Sequence, residues 1–329
     1  MKTSERIIDY IERNGQASGR ELADYLGITD RAVRKQLKSM EEGHRVMKAG
    51  RPPRVYYSIA IADDQTASSQ SELDRVIDKA TKRIIEANFL YITPRGTIQV
   101  GWEGFVIWCQ ERHLDVTKTA ARYQDTMAKY GRYKKDGLID GMNKLEASFS
   151  EVALDRVYYI DFYSIEIFGR TKLGQLLLIA KQSQDRRLIN EIADLVKPKI
   201  LTLLKQYKID GVGYIPPTVR RELQLMRRLE KRLNLDTRIL AIHKIKTQVA
   251  VPQKTLSKIE DRMVNAETTI SVGDTRHYHN ILLIDDAIGS GSTLNETAKK
   301  IRQRGLCDGE IIGLAITGSF KGFEVISEV

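Results

Sequence analysis

Apolar residues recur at helical spacing near the start of the chain and form unbroken runs only in its later half. Ile7, Ile8 and Ile11 make an i, i+1, i+4 face behind Ser4, a candidate N-cap, and Asn14-Gly15 ends that helix. Ser18 opens a second helix over 19–26, with Glu21 at capping-box distance. Gly27-Ile28-Thr29 reads as a tight turn into a third helix over 30–42. Val33, Leu37 and Met40 face inward there, so Arg31, Arg34, Lys35 and Lys38 face outward. Residues 45–48 and 54–59 predict two strands around Ala49-Gly50-Arg51-Pro52-Pro53.

Residues 62–71 are polar and aperiodic, a linker. Leu73, Val76, Ile77, Ala80, Ile84 and Ile85 predict a helix, and 91–100 reads either as a hairpin turning at Pro94-Arg95-Gly96 or as two loose segments. Trp102, Phe105, Val106 and Trp108 form an aromatic cluster that reads as core. Tyr123, Met127, Tyr130 and Tyr133 lie at helical spacing among Arg122, Lys129, Arg132, Lys134 and Lys135. That pattern fits an amphipathic helix with snorkelling lysines, and also a single-strand nucleic-acid surface.

From Val157 onward, strands and helices alternate. Strands are predicted at 158–162, within 210–217 where a short buried strand leads into a loop, and at 238–242, 281–284 and 310–317. Helices are predicted at 174–180, at 187–207 with a bend at Pro198, and at 294–304. A further basic helix, capped by Thr218, carries Leu223, Met226, Leu229 and Leu233 on one side. Residues 244–279 read as a long polar stretch. Such alternation implies a mostly parallel sheet.

Charge sharpens the picture. Lys plus Arg number 53 against 43 Asp plus Glu, a formal net charge of +10, which points to an anionic partner. The surplus is local: 195–262 holds 16 basic residues against 6 acidic, while 281–329 holds 5 against 7. Cys109 and Cys307 lie far apart and fit a reduced compartment. No apolar run approaches the roughly 18 residues of a membrane span. The N-terminus lacks a signal-peptide apolar core, so a cytoplasmic protein without a membrane partner is expected.

The chemistry concentrates in Ile281-Leu282-Leu283-Ile284-Asp285-Asp286-Ala287-Ile288-Gly289-Ser290-Gly291-Ser292-Thr293. A buried strand ends in two carboxylates, where open α/β sheets bind ligands. A small-residue loop then feeds a helix N-terminus, a geometry that aims N–H groups at an anion. The stretch resembles the phosphoribosyl-pyrophosphate (PRPP) signature of type I phosphoribosyltransferases. The resemblance implies that Asp285 and Asp286 face the ribose hydroxyls and the metal-bound sugar. It also implies that Gly289, Ser290, Gly291, Ser292 and Thr293 cradle the 5-phosphate.

The first sixty residues resemble the winged helix-turn-helix of bacterial transcription factors, many of which carry a similar Gly-Arg-Pro wing. In such modules the third helix enters the major groove. The resemblance places Arg31, Arg34, Lys35 and Lys38 against DNA, with Thr29 capping the helix and Arg51 and Arg54 on the wing. A winged helix used for protein contacts is the alternative.

The order of elements over roughly 155–329 resembles the ComF-type subgroup of phosphoribosyltransferase-fold proteins. That subgroup implies a pyrophosphate loop at Pro217, Thr218, Arg220 and Arg221. It also implies a mobile loop from Val251-Pro252-Gln253 through Arg262 and Asn265. Two departures stand out. No Cys-x-x-Cys is present, so the zinc ribbon common in the subgroup is not expected. His277-x-His279 has no third ligand in sequence. Gly289 also stands where purine-salvage members carry an acid, which argues against purine salvage.

The fold class expected is therefore α/β, a type I phosphoribosyltransferase-like parallel sheet with an N-terminal winged helix-turn-helix. The parts are 1–60, a linker over 61–71, a mixed helical region over 72–155 whose role is not readable, and 156–329. Winged helix plus this fold resembles in architecture the purine repressors of Gram-positive bacteria, where the fold senses PRPP. Three functions follow from the resemblances. One is a DNA-binding regulator that senses PRPP or a related nucleotide. The second is a Mg2+-dependent phosphoribosyltransferase, and the third a ComF-like nucleic-acid-handling protein for competence or defence. The partners expected are double-stranded DNA, PRPP or a nucleotide, and a second copy in a homodimer. Mg2+ is expected only with PRPP, with no protein-only metal site.

Overall fold

The computed structural model describes residues 3–43, 45–51, 54–59, 77–217, 222–245, 256 and 258–319. At 47, 49–51 and 54 it describes the backbone alone. The chain divides into two compact units, Met1–Val76 and Ile77–Val329.

The first unit holds three helices, α1 (Thr3–Asn14), α2 (Gly19–Leu26) and α3 (Asp30–Glu42). Ser4 lies inside the first turn of α1 rather than at its cap. The capping box of α2 is closed in both directions: the Glu21 N–H donates to Ser18 Oγ at 3.2 Å, and the Ser18 N–H donates to Glu21 Oε2 at 2.6 Å. Gly27 ends α2 in the left-handed region at φ 67°. Thr29 Oγ1 then accepts the Ala32 N–H at 3.3 Å, capping α3. β1 (Ala17–Ser18), β2 (Val46–Arg51) and β3 (Arg54–Ile59) make an antiparallel sheet in the order β1-β3-β2. Ile7, Ile11, Leu22, Val33, Leu37, Met40 and Val46 pack as one buried cluster under it.

The second unit is built on a seven-stranded sheet. Its parallel part runs β12 (Arg238–Ile239), β11 (Gly211–Tyr214), β15 (Ile281–Ile288), β16 (Ile311–Gly318) and β8 (Arg156–Phe162). β7 (Leu138–Asp140) pairs antiparallel with β8, and β6 (Lys134–Lys135) pairs antiparallel with β7. Residues expected to lie outside the α/β part therefore close one edge of its sheet. The central strands are apolar throughout because both faces are covered. Leu282, Ile284, Ile312 and Leu314 join one cluster with α8 (Lys172–Ser183) and α9 (Arg186–Gln206). Ile281 and Leu283, on the opposite face by alternation, are as fully buried. Pro198 lies inside α9 without ending it.

Before β6 come α4 (Lys79–Asn88), the hairpin β4 (Leu90–Ile92) and β5 (Ile98–Val100), α5 (Gly101–Glu111) and α6 (Val116–Gly131), and after β8 comes the antiparallel pair β9 (Ser164–Ile165) and β10 (Gly169–Arg170). The expected aromatic core forms here: the Phe89 and Phe105 rings meet edge-on at 5.1 Å, and Tyr123 meets Phe168 edge-on at 4.8 Å. Tyr123 is thus a core residue, whereas Tyr133 is exposed.

Three local expectations change. The basic helix, α10 (Leu225–Leu233), begins at Leu225 with Gln224 at its N-cap, so Thr218 does not cap it. The Gln184 Oε1 takes the Leu223 N–H at 2.8 Å and holds the chain off helix at that point. The strand expected over 238–242 is broken in two. β12 stays in the main sheet, while β13 (Ile242–Lys244) pairs antiparallel with β14 (Ile270–Val272). The polar stretch is in part regular, because α11 (Ile259–Thr269) includes Arg262 and Asn265. Arg262 is buried and its Nε donates to the Leu256 carbonyl at 2.7 Å, so this part is packed helix rather than loop.

Candidate functional site

β15 delivers Asp285 and Asp286 to the C-terminal end of the parallel sheet. Alternation would send these neighbours to opposite faces, but Asp285 Oδ1 turns back to accept the Asp286 N–H at 2.7 Å. Asp286 pairs with Lys181 of α8, Nζ to Oδ2 at 2.7 Å. Burial is the main force raising the Asp285 pKa, and the neighbouring Asp286 charge adds to it, against the opposing pull of Lys181 and Lys244. Burial in turn lowers the Lys244 pKa, with Asp285 working the other way. The centre thus sets two close carboxylates against two partly desolvated ammonium groups.

Gly289, Ser290 and Gly291 turn the chain into α12 (Ser292–Gln303). Gly291 stands at the N-cap with φ 85°, and no side chain caps the helix. A Cβ at Gly291 would overlap the Leu145 side chain of α7 (Met142–Ser148). Glycine is therefore required twice, by the left-handed backbone and by the close roof. Ser290 Oγ and Ser292 Oγ are 2.7 Å apart, and the Ser292 N–H reaches Ser290 Oγ at 3.3 Å. The remaining first-turn N–H groups and the two hydroxyls form a polar concavity of the kind that can take a tetrahedral oxyanion.

These groups open into one cavity of about 280 Å³. The signature residues 285–293 line it, with Lys181, Lys244, Arg262 and Pro217 on other walls. Leu177, Leu178, Leu225 and Met226 add an apolar side. Of the expected pyrophosphate loop, Pro217 lies on the wall, whereas Thr218, Arg220 and Arg221 lie outside the described residues. So does the stretch Val251-Pro252-Gln253.

Lys181 and Lys244 escaped the reading of the sequence. Lys181 sits one residue past the apolar run that defined its helix, and Lys244 opened what read as a polar loop. No local pattern marks either; only the packing of α8 and β13 around β15 does. At the opposite end of β15, His279 Nδ1 lies 2.8 Å from Asp308 Oδ1, with His277 Nε2 at 4.0 Å from Asp308 Oδ2. Among the described residues no group of three or more His, Cys, Asp or Glu could hold a metal ion.

On the N-terminal unit, Arg31, Arg34, Lys35 and Lys38 are all exposed along α3. Arg34 is paired with Asp30, and Lys38 lies 3.9 Å from Glu42. Arg31 and Lys35 form no ion pair among the described residues. Thr29 is committed to its cap, which leaves the start of α3 ordered. Arg51 and Arg54 pair across the β2–β3 hairpin, but their side chains and the tip at Pro52-Pro53 lie outside the described residues. Among the described residues no helix is long and apolar enough to cross a membrane.

Residues 2–46 match the family described as winged helix-turn-helix DNA-binding. No curated protein sequence matches the chain. Among solved structures, the chain is similar to a hypoxanthine phosphoribosyltransferase from Staphylococcus aureus at 15% identity and a TM-score of 0.24. That likeness covers 40% of this chain and 72% of the other.

Proposed function

We propose that the chain is a DNA-binding regulator whose α/β unit binds PRPP or a related nucleotide. The observation that carries this reading is the meeting of unlike groups in one cavity at the C-terminal end of the sheet. Two adjacent carboxylates, an uncapped helix N-terminus behind a small-residue loop, and Lys181 and Lys244 all face it. A ribose offers vicinal hydroxyls to carboxylates, and its 5-phosphate fits the loop. The ammonium groups of Lys181 and Lys244 balance the remaining charge of a polyanion.

Two carboxylates suit Mg2+, which binds through one or two such groups and keeps oxygens of a phosphate ligand in its shell. Asp285 and Asp286 would be its protein contacts, and it would screen the ligand's phosphates when bound. The chain's own work is recognition: carboxylates orient the sugar, the loop fixes the phosphate, and the apolar side excludes water.

Binding becomes regulation only if the ligand favours one arrangement of the two units over another. The match of residues 2–46 to DNA-binding winged helices supports DNA as the output. A homodimer is part of the proposal, since paired recognition helices read paired half-sites.

A second reading, an active phosphoribosyltransferase, draws on the apolar wall of Leu177, Leu178, Leu225 and Met226, which could hold an acceptor base. The same wall would hold the base of a nucleotide. Among the described residues of the lining the only carboxylates are Asp285 and Asp286, so no separate general base is in place.

The test is fluorescence anisotropy on DNA fragments from the source genome, titrated with PRPP and Mg2+ at fixed salt. A ligand-dependent shift in DNA affinity is expected. Tight DNA binding indifferent to PRPP would favour the ComF-like nucleic-acid role. Absence of DNA binding, together with pyrophosphate release on supplying bases, would replace regulation with catalysis.

A further inference from the structure

A second concave surface lies beside the main cavity, between α9 and α10. Four cations converge on it: Arg186 from the first turn of α9, and Arg227, Arg228 and Lys231 from α10. Glu222 is the one acid in its lining among the described residues. Neighbouring basic residues are neutralised, since Arg187 pairs with Asp185 at 3.0 Å and Arg232 pairs with Asp194 at 2.8 Å. None of the four in the groove has a carboxylate partner among the described residues. Like charges brought together without counter-charges repel, so an arrangement of this kind gains from an anion.

Two more observations point the same way. The Nε of Arg228 is buried and lacks a hydrogen-bond partner among the described residues. A buried donor without an acceptor is unusual and leaves this guanidinium under-satisfied. The N-cap of α10, Gln224, makes no side-chain capping bond and lines the groove, so first-turn N–H groups of that helix lie at its edge.

We propose that this groove is a second oxyanion site, for the phosphates of pyrophosphate or of a nucleotide's polyphosphate tail. Its volume, about 270 Å³, suits a compact group. A nucleic-acid strand is the other phosphate-rich candidate, but strand grooves interleave cations with aromatic platforms, and no aromatic side chain lines this one among the described residues. Leu223 and Gln224 line both cavities, so an anion seated here would press on a wall of the main site.

Calorimetric titration with inorganic pyrophosphate, at fixed ionic strength and with EDTA present, tests the assignment. Wild-type protein should take up an equivalent that the doubly substituted Arg227→Gln, Lys231→Gln protein loses, lowering the stoichiometry by one per chain. The Asp285→Asn, Asp286→Asn protein should keep that equivalent. Arg227 and Lys231 are exposed, so an unchanged melting temperature verifies the fold of the groove variant. Equal uptake by wild type and groove variant would overturn the proposal, as would no uptake by wild type. Displacement of pyrophosphate by a single-stranded oligonucleotide more readily than by a nucleoside triphosphate would overturn the choice of a compact ligand.

Discussion

Helix α3 and the cavity around β15 both gather cations, but on different physical terms. Along α3 the cations stand in water, and Arg34 and Lys38 are shared with Asp30 and Glu42 a turn away. Each contact there is weak, screened by salt, and additive with its neighbours. In the cavity, Lys181 and Lys244 lose part of their hydration, and Lys181 grips Asp286 at 2.7 Å. There the charges are few, strongly coupled and little screened. The first surface suits a long polymer with a phosphate at every step. The second suits one small ligand of fixed shape.

The largest expected effect separates the two regions cleanly. If the proposed site is right, Asp285→Ala with Asp286→Ala should weaken PRPP binding by roughly 100-fold or more, since both carboxylates proposed to hold the sugar go. Calorimetry on PRPP reads this, while DNA affinity without ligand stays unchanged; a loss of both would mean the sites are not separable.

Next comes pH. The Asp285 pKa is raised, so the folded protein holds a proton that the unfolded chain gives up near pH 4. Stability then falls as pH rises from there through the raised value. Asp285→Asn should remove that slope and raise the melting temperature of ligand-free protein at pH 8 while weakening PRPP binding. Melting curves across the range would show an unchanged slope if the carboxylate is ionised throughout.

Gly291→Ala should cost about 2 kcal/mol, from the positive φ and the collision with Leu145. Urea unfolding monitored at the aromatic cluster would register it. A neutral result would mean that α7 yields freely.

On the other region, Arg31→Ala with Lys35→Ala should lower DNA affinity about tenfold and reduce the salt slope by roughly two. Arg34→Ala should do less, because part of its charge is already spent on Asp30. Equal effects for the three would show that the ion pair dissolves on DNA. Smallest is Thr29→Ala, worth about 1 kcal/mol of stability through the lost cap.

How far the sequence carried the reading depended on the range of each interaction. α3 was legible to its ends, 30–42, because Thr29, Gly27 and the Val33, Leu37, Met40 face are all local. The start of the strand at 281 and its small-residue loop were legible too, since they lie together, but β15 runs on to Ile288, four residues past the apolar run and through both carboxylates. What failed was non-local. Nothing near Lys134 or Leu138 announces that they pair beside β8, and nothing near Lys181 points to Asp286. Thr218 looked like a cap by type, but the described helix begins only at Leu225, past a bend where Gln184, distant in sequence, takes the Leu223 N–H. Arg262 and Asn265 looked like loop because 244–279 is polar overall, yet α11 packs against α12, whose Lys300 Nζ donates to the Glu267 carbonyl.

The contact between Gly291 and Leu145 sets a lower bound on what can be excised or transplanted. A signature grafted alone onto another sheet would leave behind the short helix that roofs its small-residue loop. A fragment cut at residue 156, where the alternation of strands and helices begins, would discard that helix along with the antiparallel edge beside β8. Asn295 of α12 would also lose the Glu151 carbonyl and the Ala153 N–H that it engages at 3.0 and 2.8 Å. The smallest portable version of this cavity therefore reaches back to at least residue 134, well upstream of every residue that its motif names.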